Sequence, residues 1–335
     1  GKNYPDYLNE AYCRIANPAQ SSFALTVGSV CHDAFDSPDK RSFGQRDDPS
    51  SFSRTGPGLW DMIKPDVVEC GGDFAVEKNT TPNLSYEASI SPELVKSTYG
   101  GGTGVGKDSV GTSFTAPKVA HIAAHLQRLF PGESSLLYRA LIAQSARLPE
   151  HIFSNPTFDD IRHYGYGIPD LGRATENSQR RITFIASGHI GAKQADIYNI
   201  NIPNELSRAG HDYKILIEIT LSFKAIPRRT RRKTQSYLST WLHWESSKLG
   251  ESIETFTGRM LQTAETGSSA DDDQYTIKWA IRENKNWSKI SGLRRQDSTL
   301  QKSWCVIDSY HLRDNFSIAV IGHAGWEPDL QVEVP

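Results

Sequence analysis

The stretch VGTSFTAPKVA, residues 110–120, sets a serine between a Gly-Thr pair and an apolar pattern of helical period. Gly111 permits a tight turn and the close approach of a substrate. Ser113 then falls where unpaired helix N–H groups and the positive end of the helix dipole stabilise negative charge. Pro117 is read as lying in the first helical turn, where its missing N–H costs nothing. The small Ala116 and Ala120 let such a helix pack closely inside a core. A mount of this kind suits acyl transfer, because the serine's own N–H can donate to an oxyanion. A serine hydroxyl also needs a base, so the rest of the chain is read for one.

Working outward, Ala116, Val119, Ala120, Ala123, Leu126, Leu129 and Phe130 continue the helical period from Thr115, and Pro131-Gly132 stops it. Ser134 or Ser135 caps a second helix, LLYRALIAQSA (136–146), whose Leu137, Leu141 and Ile142 form one stripe. Upstream, FALTVGSV (23–30) has the composition of a buried strand, and IKPDVVECGG (63–72) places Val67 and Val68 just before a glycine turn. Residues 1–178 therefore read as an α/β domain. Beyond about 178 the period changes. ITFIASGHI, ADIYNINIP, YKILIEITLSF, SYLSTWLHWES, YTIKWAIRE, KSWCVIDSYHL and FSIAVIGHAGW are all strand-like, separated by turn residues. Seven such runs without long helices predict an all-β sandwich, jelly-roll-like, over 179–335. On this reading Trp241, Trp244, Trp279, Trp304 and Trp326 belong to its core.

The totals narrow the partners. A chain of 335 residues that is 37% hydrophobic is long enough for two domains with cores of their own. A formal charge of −2 gives no global attraction to nucleic acid or anionic membrane, and no window approaches a membrane span. Cys13, Cys31, Cys70 and Cys305 are widely spaced with no zinc-like pattern, and read as free thiols of a reducing, cytoplasmic setting. No cofactor or metal is implied.

Gly111-Thr112-Ser113 followed by Pro117, Val119 and Ala120 resembles the serine motif of the subtilisin-like serine proteases, the subtilases. Other segments agree in order. PAQSSFALTVGSV (18–30) is similar to the strand that follows the family's oxyanion region. SFSRTGPG with KPDVVECGG resembles its S-x-F-S-x-x-G-P and K-P-D segments, and YGYGIPDLGRA (164–174) the stretch that closes the catalytic domain. The resemblance covers residues 17–175 and implies part of a three-layer, parallel-sheet domain with Ser113 as catalytic nucleophile. Thr115, Lys118 and His121 depart from the family's usual Ala, His and Gly, which leaves the substrate contacts untransferable.

In the family the order is Asp, His, Ser. No segment here resembles the first two. His32-Asp33 follows the strand in a place like a surface loop, and His121 and His125 lie eight and twelve residues beyond Ser113, two or more turns away. All three read as structural histidines. Asn3 stands at about the right distance before TVG to be the family's oxyanion asparagine, but no strand precedes it. The expectation is a serine endopeptidase, or its C-terminal chain, whose Asp and His come from an N-terminal portion packed on residues 17–120. A parallel sheet cut in half would leave strands such as FALTVGSV open. A protein or peptide substrate follows, and because similar proteases are sometimes encoded beside an ATPase, a regulatory ATPase is a further partner that the resemblance admits. The alternative is a non-catalytic scaffold built on a degenerate subtilase half.

Three remaining signals read as follows. PRRTRRK (227–233) is a solvated hairpin loop, and ADDD (270–273) a solvated turn without the ligand spacing of a calcium loop. The glycine-rich YGGGTGVGKDSVG (99–111) is either a loop ordered by substrate or partner, or plain disorder.

Overall fold

The computed structural model describes residues 3–78, 84–85, 94–95, 109–206, 213–228, 236–267, 275–281, 288–290, 298–312, 315–327 and 332–334. The basic run from 229, the ADDD turn and most of the glycine-rich segment lie outside them. The chain divides into two compact units: Gly1–Pro131 with Ser145–Glu176, and Gly132–Gln144 with Asn177–Pro335. Both mix helices with small sheets. Among the described residues no helix is long and apolar enough to cross a membrane.

In the first unit, β1 (Val27–Val30) and β3 (Val67–Cys70) pair in parallel, Val27 opposite Val67 through Val30 opposite Cys70. β2 (Lys40–Ser42), β4 (Ala75–Glu77) and β5 (Leu84–Ser85) form a separate antiparallel sheet. The sequence reading expects the parallel strands to be left open. The structure corrects this: Cys31 N–H donates to Asp48 O at 2.8 Å and Ser50 N–H to Ser29 O at 2.9 Å along β1, while Val68 N–H donates to Gly167 O at 3.0 Å along β3. Nearby loops thus satisfy strand donors and acceptors that would otherwise template another chain. Val30, Val67 and Val68 are fully buried.

Helix α1 (Thr112–Leu129) packs on both strands. Its buried residues are Thr115, Val119, Ile122 and Leu126, spaced 4, 3 and 4 apart, which is the stripe that a 3.6-residue period places on one face. Shorter helices α3 (Glu150–Phe153), α4 (Phe158–Tyr164) and α5 (Leu171–Thr175) complete the unit. α4 opens on a reciprocal capping box between Thr157 and Asp160, and Asp170 caps α5 by accepting from Arg173 N–H at 2.6 Å.

Helix α2 (Ser135–Ser145) forms where the cap and stripe predict it, with Ser134 Oγ accepting from Leu136 N–H at 3.3 Å. The sequence reading places it with residues 1–178, whereas 132–144 group with the C-terminal strands. Arg139 donates to Thr299 Oγ1 at 2.8 Å, Gln144 to Glu218 O at 3.2 Å, and Lys302 Nζ to Gln144 O at 3.0 Å. Side-chain polar contacts of this kind have no periodicity to read.

Each of the seven strand-like runs contains a strand: β6 (Gly188–Ile190), β7 (Ala195–Asn201), β8 (Lys214–Ser222), β9 (Thr240–Ser246), β10 (Trp279–Ile281), β12 (Leu300–Asp308) and β13 (Asn315–Ala324). β11 (Ser288–Ile290) and β14 (Val332–Val334) add to them. β13 lies between β7 and β9, antiparallel to both, and β12 pairs antiparallel with β8 over nine positions. Trp244, Trp279 and Trp304 are buried; Trp241 and Trp326 are half-buried. Trp244 meets Trp279 edge-on at 4.8 Å, and Trp279 Nε1 donates to Ser246 Oγ at 3.1 Å.

The expectation of strands without long helices fails at α6 (Ile253–Thr266), 14 residues long. Ser252 caps it by accepting from Thr255 N–H at 3.3 Å, and Gly267 ends it in the left-handed conformation at φ 71°. Its Phe256, Met260 and Ala264 pack on Ala319 and Ile321 of β13, with Ala195 and Ile197 of β7 beside them.

Candidate functional site

Ser113 is the second residue of α1, and two contacts fix the start of that helix against the end of β3 while a third braces its first turn. Gly111, at φ 148° and ψ 154°, donates its N–H to Gly71 O at 2.8 Å. Thr115 is fully buried, its hydroxyl returning to Thr112 O at 2.9 Å. Lys118 Nζ donates to Cys70 O at 2.8 Å and stands 3.7 Å from the Glu69 carboxylate. At Gly71 a Cβ would sit 2.3 Å from Ser29 Oγ, 2.7 Å from Thr115 Cγ2 and 2.9 Å from Gly111 O. Only glycine admits so close an approach of helix and strand.

A polar network supports this loop from below. Ser29 and Ser50 hydroxyls lie 2.7 Å apart, and Ser50 Oγ donates to Gly72 O at 2.7 Å. Asp73, fully buried, accepts from Ser51 Oγ at 2.6 Å, from Phe74 N–H at 2.9 Å and from Cys31 Sγ at 3.3 Å. Burial raises the Asp73 carboxyl above the ordinary aspartate value, against the pull of those donors. Burial, helped by the Glu69 charge, pushes the Cys70 thiol up to about 11, so Cys70 is a thiol and not a thiolate at neutral pH.

Pro117 is the sixth helical residue rather than a first-turn residue, because the helix begins at Thr112 and not at Thr115. Its ring nitrogen cannot return a hydrogen bond to the Ser113 carbonyl four residues earlier. The first turn that carries Ser113 is therefore held less by the helix ladder than by the contacts to Gly71 and Cys70. The supporting roles of Lys118, Gly71 and Asp73 are not part of the motif reading, because their contacts are made only in the fold.

The Ser113 side chain is exposed and has no hydrogen-bond partner among the described residues. Its N–H belongs to the first turn, whose donors have no intrahelical carbonyl to bind. Exposed residues on α1 include Ser113, Ala116, Pro117, Ala120 and Ala124, which share one helical face. His32 and Asp33 are exposed after β1; His121 is exposed and His125 half-buried on α1. Asn3 is exposed, and its carbonyl accepts from Tyr7 N–H at 3.0 Å. None of these side chains is hydrogen-bonded to Ser113. Among the described residues no group of three or more His, Cys, Asp or Glu is arranged to hold a metal ion, and all four cysteines are free.

The sequence model of the Subtilase family matches residues 9–179. An uncharacterized protein, y4bN, of Sinorhizobium fredii is 31% identical over 238 residues, covering 68% of this chain and 55% of its own length. The chain thus spans about half the length of that curated relative. A crystal structure of a serine protease of Aeromonas sobria aligns with 95% of this chain and 63% of that one at 10% identity, with a TM-score of 0.26.

Proposed function

The chain belongs to the subtilase family, and from that premise we propose that it is the C-terminal chain of a serine endopeptidase. In this reading residues up to 178 are part of a subtilisin-like three-layer catalytic domain, and 179–335 form a sandwich-like accessory domain. Ser113 is the nucleophile. Its Oγ attacks a peptide carbonyl and passes its proton to a histidine supplied from outside residues 1–335, which an aspartate from the same portion orients. The developing oxyanion is met by the N–H of Ser113. The tetrahedral intermediate collapses to an acyl-enzyme, the histidine protonating the leaving amine, and water then releases the acyl group.

The observation that supports this best is the exposed Ser113 hydroxyl, without a hydrogen-bond partner among the described residues, at the open end of a helix whose start is tied to Gly71 and Cys70. The small-residue face that runs on from it suits close packing of the missing portion. A helix position stabilises an oxyanion but removes no proton, and losing one triad member costs on the order of 10⁴ to 10⁶ in rate. The test is labelling with a fluorophosphonate probe. The complete protein should label at Ser113 and the Ser113→Ala variant should not, while residues 1–335 alone label far more slowly. Equal labelling of the isolated chain would place a base within it. No labelling of the complete protein would favour the non-catalytic scaffold.

A further inference from the structure

On α1, HIAAH at 121–125 carries two histidines four residues apart, and we propose that His121 and His125 form a two-imidazole site for a divalent transition cation such as Zn²⁺ or Ni²⁺. Residues at i and i+4 stand over one another on one helix face, which is the spacing by which helical histidine pairs hold zinc. Here the two rings are 4.6 Å apart, centre to centre, at 71°. A metal–nitrogen bond of about 2.0 to 2.1 Å puts each ring centre about 3.2 Å from the ion. Two rings in neighbouring coordination positions, at about 90° to 109°, then lie about 4.5 to 5.2 Å apart. The observed separation falls inside that window.

The surroundings agree. His121 is exposed, His125 half-buried, and neither ring has a hydrogen-bond partner among the described residues, so no existing bond is lost on binding. Imidazole selects this class of cation over Mg²⁺ or Ca²⁺, which prefer oxygen donors. Water completes the shell. The residue after the first histidine, where a zinc hydrolase places its glutamate base, is the buried Ile122. The pair is therefore a binding site and not a second hydrolytic centre. It lies eight residues, about 12 Å of helix, from Ser113. A bound ion would brace one turn of the helix that carries the serine.

The test is titration of the purified chain with Ni²⁺ and Zn²⁺ by calorimetry at pH 7.5, with Mg²⁺ as control. Tight one-site binding of the transition ions, weakened at least tenfold in His121→Ala and in His125→Ala but not in His151→Ala on α3, is the expected result. Both positions are solvent-accessible and alanine is a good helix former, and circular dichroism checks that the variants fold. Independently of any variant, Ni²⁺ should protect His121 and His125 of the wild-type chain from diethylpyrocarbonate, as read by mass spectrometry. Binding that is unchanged in the two variants, or no protection at these residues, overturns the proposal.

Discussion

Lys64 Nζ stands 2.6 Å from Asp66 Oδ2, with both side chains almost wholly removed from water at 2% and 3% exposure. The pair joins the start of β3 to the chain entering β1. Lys64 also donates to Ala24 O at 2.9 Å, and the same Asp66 oxygen accepts from Thr26 N–H at 2.7 Å. The KPD segment is thus the fastening that sets the parallel register, which in turn places Gly71 under the serine helix.

Removing one member of a buried pair leaves the other charged and unpaired, at a cost of about 3 to 5 kcal/mol. Lys64→Met should therefore destabilise the first unit by that amount in urea unfolding. Lys64→Met with Asp66→Asn should recover part of it, since no net charge is then left buried. A double variant no more stable than the single one would show that the hydrogen bonds to Ala24 and Thr26, not the charge, dominate.

Gly71→Ala tests how the serine helix is seated. The added methyl would meet Ser29, Thr115 and the Gly111 carbonyl, all closer than 3.0 Å, and two of the three are packed into the interior. Overpacking of this kind costs about 1 to 3 kcal/mol and shifts backbone. The start of α1 is the element with least ladder support, so it should move. Hydrogen exchange at Phe114, whose N–H donates to Gly111 O at 3.1 Å, should quicken in the variant, while Gly132→Ala, with nothing within 4 Å of the new methyl, should leave exchange there unchanged.

The histidine of α4 predicts the pH response of the first unit. Burial holds the His163 imidazole below the ordinary histidine value, with its Nε2 2.9 Å from Asn9 Oδ1. An unfolded histidine takes up its proton as the pH falls past about 6.5, whereas the folded one resists to lower pH. Between those two values the unfolded state binds more protons. Its contribution to stability is present in full above about 6.5 and is lost as the pH falls toward the folded value. His163→Gln removes that titration, so stability measured between pH 7.5 and 5 should fall less steeply than in the wild type. An identical slope would assign the acid sensitivity to other groups.

What was legible in the sequence follows from which forces repeat along a chain. The strands of 179–335 and the buried face of α1 come from side chains alternating between core and water, and that alternation is printed in the residues. The helix begins three residues before its apolar period, because Thr112-Ser113-Phe114 carries none of it, and Pro117 therefore lies deeper in the helix than the period places it. Lys118, Gly71 and Asp73 meet only through the fold. Lys118 reaches Cys70 across 48 positions and Asp73 reaches Cys31 across 42, and no local pattern encodes such contacts.

Helix α6 is the instructive miss, and it supplies the last prediction. As a strand, residues 256, 258, 260, 262 and 264 would share one face, putting Gly258 and Gln262 beside Phe256 in a core. As a helix, Phe256, Met260, Thr263 and Ala264 turn inward, and these are the residues found buried, while Leu261 is 51% exposed. Two local signals mark the helix, a serine cap at Ser252 and a glycine stop at Gly267. Met260→Ala should cost about 2 to 5 kcal/mol, the range for deleting a large buried aliphatic side chain that cannot be replaced by neighbours. Leu261→Ala should cost little, since an exposed position in a helix loses almost no burial and alanine is favoured there. Ser252→Ala should cost about 1 kcal/mol through the lost cap. Chemical denaturation of the three variants checks this ranking, and equal costs for Met260→Ala and Leu261→Ala would contradict the helical face.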